Sequence, residues 1–480
     1  MKITLIGHAS ILIEVGGVII LSDPWWRGPC FGAQWWNYPL PYLEAMAGRH
    51  IDYIYISHGH HDHFHPGTLR TLNRDAKVLV SRKIMLSSHV KKLGFEVIEL
   101  DDDQIYTLAT GVTCRVMETH AQDTLMAVTD GQEVCLNLND ALHSAPQAVQ
   151  SSFIARLMQL YPTIDYVFCG YGIASHFPNC YEIPGKNREA TAACRQQFFN
   201  RQWARLIAEL KPRYGFPFAA DVVFFEVDLF WANEPTHNAE RPTDAFRTLY
   251  PQSTVKTLDI APGFVIQDGK VVQKMLRQPI LAQDLRILCR DAIERANRYG
   301  SVDEAEVKAV AALVQENLDI CAEYLKSYGG DYRFLIQFRN SPWGIRVAKR
   351  GQVVSLASVR GETANTSAYD VIYTTRLPYL KRSLTTLYGD EVLFVGSGGV
   401  FEYTDQAKAK RNLHRELMQL LKKQAAPPPL RYGNSSRLIY NAKRAVKRLL
   451  RWADQDLYDL GSWTVFNGEN RGQSRSSQQG

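Results

Sequence analysis

The chain opens on three short apolar runs. Residues 1–6, 11–14 and 18–21 are rich in Ile, Leu and Val, and a Gly-His-Ala-Ser turn and a Gly-Gly pair divide them. This pattern predicts three strands, the third closing in Asp23-Pro24. Ile51-Asp52-Tyr53-Ile54-Tyr55-Ile56 alternates and is β-branched or aromatic, which predicts another strand. Further strands are predicted over 112–120, 133–140 and 166–169, then a long helix over 188–210 and a strand in the Pro-Phe-Ala-Ala stretch up to Asp221. A strand pair over 255–266 ends this part. Apolar residues at three- and four-residue steps then predict helices over 282–299 and 302–328, stopped by Gly329-Gly330. Strands return over 332–338, 343–347, 353–359 and 369–374, and a helix is predicted over 377–387.

Chemistry concentrates directly after the strand over 51–56. The run Ser57-His58-Gly59-His60-His61-Asp62-His63 reads as His-x-His-x-Asp-His. It offers His58, His60, Asp62 and His63 as metal ligands from one tight turn. Neutral imidazole and carboxylate suit borderline divalent metals such as zinc, iron and manganese. His61 lies between ligands and is expected to point away from them, and His65 is expected to be a solvated loop residue.

The early strands, the Gly-His turn and this cluster together resemble the metallo-β-lactamase superfamily over roughly the first half of the chain. The resemblance implies an α/β fold, an αββα sandwich. It implies a third histidine, His120, and a bridging aspartate, Asp140, each at a strand end. His58, His60 and His120 would then hold one metal, Asp62 and His63 a second, with Asp140 between the two. Two cations sharing a carboxylate lower the pKa of a bound water and generate hydroxide near neutral pH. Many members carry a last histidine after a further strand. The matching stretch here, 210–221, has none. Either the second position is incomplete, or Asp221 or the off-motif His237 substitutes. The resulting expectation is one or two divalent ions, zinc first, with iron or manganese as alternatives. Asp62 and His8 are read as catalytic side chains. His8 is expected to face the pocket or substrate rather than ligate, and Asp23 to orient a ligand histidine through its free ring nitrogen.

After Asp140, a strand leads into the loop Gly170-Tyr171-Gly172-Ile173-Ala174-Ser175-His176-Phe177-Pro178. With the following helix and the Pro-Phe-Ala-Ala strand, it resembles the metallo-β-lactamase-like part of CMP-N-acetylneuraminate hydroxylases. His176 and Asp221 are carried as metal or substrate contacts. Those enzymes also hold a Rieske centre, built from Cys-x-His and Cys-x-x-His pairs. None of the eight cysteines here has a histidine at either spacing, so an oxygenase reading needs an external electron donor.

The expected organisation is a metal domain over 1–272, a helical connector over 273–330 and a smaller α+β domain over 331–405. A basic helical tail over 406–468 and a disordered Gly/Ser/Gln-rich end over 469–480 follow. The tail changes the charge picture. Residues 406–455 hold thirteen Lys or Arg against Glu416 and Asp454, a balance of about +11 in a chain of net +6, so the remainder is mildly acidic. Within 437–453 apolar and basic residues occupy opposite helical faces, which suits an anionic membrane surface or an acidic protein. Aromatic residues are not interleaved with the basic ones, which argues against nucleic acid. Scattered cysteines suit a reducing compartment, and no run of about 18 apolar residues is present, so a cytoplasmic protein, peripheral to the membrane at most, is expected.

The leading functional expectation is a hydrolase whose metal-bound hydroxide attacks an ester, amide or phosphodiester of a small metabolite or lipid. The alternative is an iron-dependent hydroxylase acting on a sugar nucleotide or similar metabolite.

Overall fold

The computed structural model describes residues 1–424 except 120–122, 173–174, 234–239, 279–281, 289, 291–293, 295–299, 362–365, 387–388 and 411–412. His120, His237 and the basic stretch 437–453 therefore lie outside the described residues. The chain forms two compact units. One comprises 1–173, 196–225 and 233–290, the other 174–195, 226–232 and 291–480. Both are discontinuous, whereas the sequence pattern draws the first as one stretch to 272.

The first unit is built on two sheets. The strands of one run in the order Lys270–Gln273, Val265–Gln267, Lys2–Gly7, Ser10–Val15, Val18–Ser22, Tyr53–Ile56, Lys77–Ser81 and Glu96–Leu100. The other runs Lys256–Thr257, Tyr214–Phe218, Tyr166–Gly170, Val134–Asn139, Thr124–Thr129, Val112–Glu118 and Gln104–Ala109. Alternation sends Ile3, Leu5, Ile11, Ile13, Tyr55 and Leu79 of the first sheet against Val112, Val116, Met126, Phe168 and Phe216 of the second. The opposite faces are also apolar, because each carries a layer of helix. Ile54, Ile56, Val78 and Val80 meet Phe64, Leu69, Val90 and Phe95. Leu136, Leu138 and Val167 meet Ile154 and Leu157 of the Gln147–Leu160 helix, and Trp203, Leu206 and Ile207 of the Arg188–Leu210 helix. The result is the expected αββα sandwich.

The second unit has a six-stranded sheet, ordered Tyr181–Glu182, Gly399–Tyr403, Val371–Thr375, Tyr332–Phe338, Trp343–Arg350 and Val353–Arg360. The Glu304–Lys326 helix starts on a capping box, with Asp303 Oδ1 accepting from Glu306 N at 2.8 Å and Glu306 Oε2 accepting from Asp303 N at 3.2 Å. It buries Val307, Val310, Val314, Leu318, Cys321 and Leu325 at helical spacing. Glu226 is buried here, held by Arg376 at 2.8 and 2.9 Å and by the Tyr379 hydroxyl at 2.7 Å. Among the described residues no helix is long and apolar enough to cross a membrane.

Candidate metal centre

Topology makes the site. Val18–Ser22 and Tyr53–Ile56 run parallel in one sheet, as do Val134–Asn139, Tyr166–Gly170 and Tyr214–Phe218 in the other. Their C-terminal ends deliver Asp23, Ser57–His63, Asp140, Gly170 and Asp221, and the turn after Lys2–Gly7 adds His8. Backbone conformation is unusual where side chains must be aimed: His8, Asp23, Asn139 and Ala219 all have positive φ, from 39° to 57°.

Two groups of donors converge, all buried but the half-buried Asp140. His8, Asp62 and His63 form one, and His58, His63 and Asp140 the other; within each group the donor atoms lie within 4.8 Å of one another. His63 Nε2 stands 3.6 Å from Asp62 Oδ2 and 3.5 Å from Asp140 Oδ2. His58 Nε2 and His60 Nδ1 are 2.9 Å apart. Asp23 is fully buried behind them. Its Oδ1 accepts from Ser57 N at 2.8 Å, and its Oδ2 faces Ser57 Oγ at 2.6 Å and His63 Nδ1 at 3.0 Å. That contact leaves His63 Nε2 facing the two carboxylates.

The field at this point favours a cation. Burial works against a charged His63, yet Asp62, Asp140 and Asp23 outweigh it and hold the ring's pKa well above its ordinary value. Burial also disfavours ionised Asp62 and Asp140, but His63 and the neighbouring histidines keep both carboxylates below their usual range. His58 goes the other way: burial first, then His63 and His60, hold it neutral with a lone pair to offer. Asp62 Oδ1, Asp140 Oδ1 and His63 Nε2 are buried without hydrogen-bond partners among the described residues, which is costly unless each meets something polar or charged.

Two residues here were not singled out by the motif. His143 Nε2 contacts Gly172 O, and its Nδ1 faces the same point beside Gly170 as Asp140 Oδ1. The only hint in the sequence is the Asp-x-x-His spacing after a strand. Asp123 Oδ1 lies 3.8 Å from His58 Nδ1, and burial pushes its carboxyl up to about 6.

The other sequence-level candidates separate. Asp221 is committed to Arg241, Arg277 and the Tyr171 hydroxyl, at 3.3, 3.1 and 2.8 Å. His176 belongs to the second unit, where its Nδ1 donates to Phe394 O at 3.1 Å. His61 stacks on Phe31, away from the ligands. His65 is not a solvated loop residue: it is buried and caps the Pro66–Leu69 turn of helix by accepting from Thr68 N at 3.1 Å, and burial pushes its pKa to about 4. Trp25 and Trp35, in the stretch after the third strand, are both buried.

Residues 2–141 match the family described as Beta-lactamase superfamily domain. Over those residues the chain is similar to the metallo-β-lactamase superfamily. Among solved structures the chain is similar to Igni18, described as a novel metallo hydrolase from Ignicoccus hospitalis KIN4/I, with 18% identity over 55% of this chain and 97% of that one and a TM-score of 0.39. In sequence the chain is 28% identical over 248 residues to Rv3818 of Mycobacterium tuberculosis (strain ATCC 25618 / H37Rv), named as a Rieske 2Fe-2S iron–sulfur protein; the match covers 49% of this chain and 46% of that protein. It is 40% identical over 122 residues to the cytidine monophosphate-N-acetylneuraminic acid hydroxylase of Asterias rubens, covering 22% of this chain and 18% of the other. The chain thus spans less than half the length of these two relatives.

Proposed function

We propose that the first unit is a metal-dependent hydrolase acting on an ester, amide or phosphodiester of a small metabolite or lipid. The observation that carries this reading is the pair of convergent donor groups, His8/Asp62/His63 and His58/His63/Asp140, which share His63 and in each of which the donor atoms lie within 4.8 Å of one another. In this reading His58, His60 and His120 hold one divalent cation, and Asp62 and His63 hold a second. Asp140 sits between the two, its Oδ2 being 3.5 Å from His63 Nε2. Bound divalent cations supply acidified water near neutral pH and stabilisation of developing negative charge on oxygen. The protein's part is to fix the donors. Asp23 holds His63 by Nδ1 and the Ser57 amide that opens the ligand turn. His58 is kept neutral by its surroundings. Gly170 leaves room for the Asp140 and His143 side chains.

A second reading has one specific support, the hydroxylase and Rieske names of the curated relatives. It is an iron-dependent hydroxylation of a sugar nucleotide or similar metabolite, with electrons from another protein. Assaying the zinc-reconstituted full chain against ester, amide and phosphodiester panels tests the hydrolase, with a His58→Ala/His60→Ala variant as control. Turnover that vanishes in the variant supports the hydrolase. Turnover absent with zinc, but present with iron, oxygen and a reductant on a sugar nucleotide, overturns it in favour of the second reading.

A further inference from the structure

His8 sits in the turn between the first two strands, 54 residues from Asp62, yet its Nε2 is 3.1 Å from Asp62 Oδ2. The same carboxylate oxygen is 3.6 Å from His63 Nε2. Two imidazole nitrogens therefore converge on one carboxylate, in a group whose three members are all buried. The other side of His8 is anchored. Its Nδ1 lies 3.4 Å from the backbone carbonyl of Asp221, and its own carbonyl accepts from Ala219 N at 3.3 Å. Asp221 in turn is fixed by Arg241 and Arg277, so the carbonyl that His8 meets is held by two cations on its side chain. The Nε2–Oδ2 separation of 3.1 Å, with His63 Nε2 on the same carboxylate, is one that donors of a single cation can adopt. Trp25, itself buried, meets the His8 ring edge-on at a centroid distance of 5.2 Å and limits its rotation. The backbone at His8 has φ +43°, a conformation a non-glycine residue adopts at a cost when a side chain has to be aimed.

We propose that His8 is a metal ligand through Nε2, closing a cation position with Asp62 and His63, and that the Asp221 carbonyl sets its tautomer. This rests on the metal-dependent reading of the site and assigns the residue that completes its second position. Carboxylate-anchored and carbonyl-anchored imidazoles then face each other across one cation: His63 is held at Nδ1 by Asp23, and His8 at Nδ1 by Asp221 O. Asp221 contributes its carbonyl while its carboxylate stays with the arginines.

The test is a titration of the metal-stripped full chain with Co²⁺ and with Zn²⁺ alone, read by metal content after gel filtration and by the Co²⁺ visible spectrum. Wild type is expected to take up two ions. His8→Ala and His8→Gln are expected to keep one and to bind the second at least about 100-fold more weakly, with a changed Co²⁺ band for that ion. His61→Ala, whose ring stacks on Phe31, is expected to retain both. Two ions bound with unchanged affinity in a folded His8 variant overturn the assignment and leave the metal-dependent reading standing. No uptake by wild type overturns both. Should His8→Ala fail to fold, His8→Gln still decides: a second-ion affinity and Co²⁺ band identical to wild type overturn the assignment.

Discussion

Asp23 and His63 are 40 residues apart in sequence and 3.0 Å apart in space, carboxylate oxygen to ring nitrogen, with neither side chain reached by solvent. This contact fixes which nitrogen of His63 faces Asp62 and Asp140. Asp23→Asn keeps the shape but places an amide opposite the Nδ1 proton. We expect divalent-ion affinity to fall about 10- to 100-fold, with an unchanged far-UV spectrum. Competition against a chromophoric chelator checks this, and equal affinity would remove Asp23 from the positioning of His63.

Gly170 is a second lever. A β-carbon there would stand 2.8 Å from Asn139 O and 3.0 Å from both Asp140 Oδ1 and His143 Nδ1. Backbone cannot yield easily, so Asp140 and His143 must shift. Gly170→Ala is expected to cost about 1–3 kcal/mol of stability and to lower metal occupancy together with turnover. Denaturant melts and metal analysis of one preparation read both effects.

In the second unit, Glu226 and Arg376 form a buried bidentate pair. Removing Arg376 leaves the buried Glu226 carboxylate with the Tyr379 hydroxyl and a longer contact to Arg339, at 3.8 Å. Arg376→Met is expected to destabilise by about 3–5 kcal/mol, and Glu226→Leu/Arg376→Met to recover most of that loss. Denaturant midpoints of the wild type and the two variants measure it.

His176 supplies a pH dependence. Burial lowers its pKa from the ordinary 6.5 to about 4, so the folded protein holds the ring neutral. Below pH 6.5 the unfolded chain binds a proton that the folded chain refuses. Stability is therefore full above about 6.5 and falls as pH drops toward 4, by up to about 3 kcal/mol from this one group. In His176→Gln the slope between pH 6.5 and 4 should be shallower in a thermal-melt series; an identical slope would assign the dependence elsewhere.

Much of the first unit is legible in its sequence because each strand run is short, apolar and bounded by turn residues. Tyr53–Ile56 followed by the His-rich turn carries its meaning locally: strand end, then ligands. The helix predicted over 188–210 has those limits in the structure, since its apolar spacing persists throughout. What was not legible depends on folding across sequence. The sequence turns His8 toward the pocket, but it does not tell that its Nε2 meets Asp62, nor that Arg241 and Arg277 hold Asp221 by its carboxylate. His65 reads as a loop histidine because a one-turn helix of four residues has no periodicity to reveal its cap. The discontinuous boundary of the units is hidden for the same reason. Residues 174–195 leave the metal domain's chain segment and supply Tyr181–Glu182 to the other sheet, a pairing with Gly399–Tyr403 more than two hundred residues away.

The most direct measurement is the metal content of protein purified without added metal, compared with His58→Ala/His60→Ala. The account predicts one to two zinc or manganese ions per chain in wild type, largely lost in the variant. Absence of bound metal in wild type, persisting after reconstitution with zinc, manganese and iron, would contradict it.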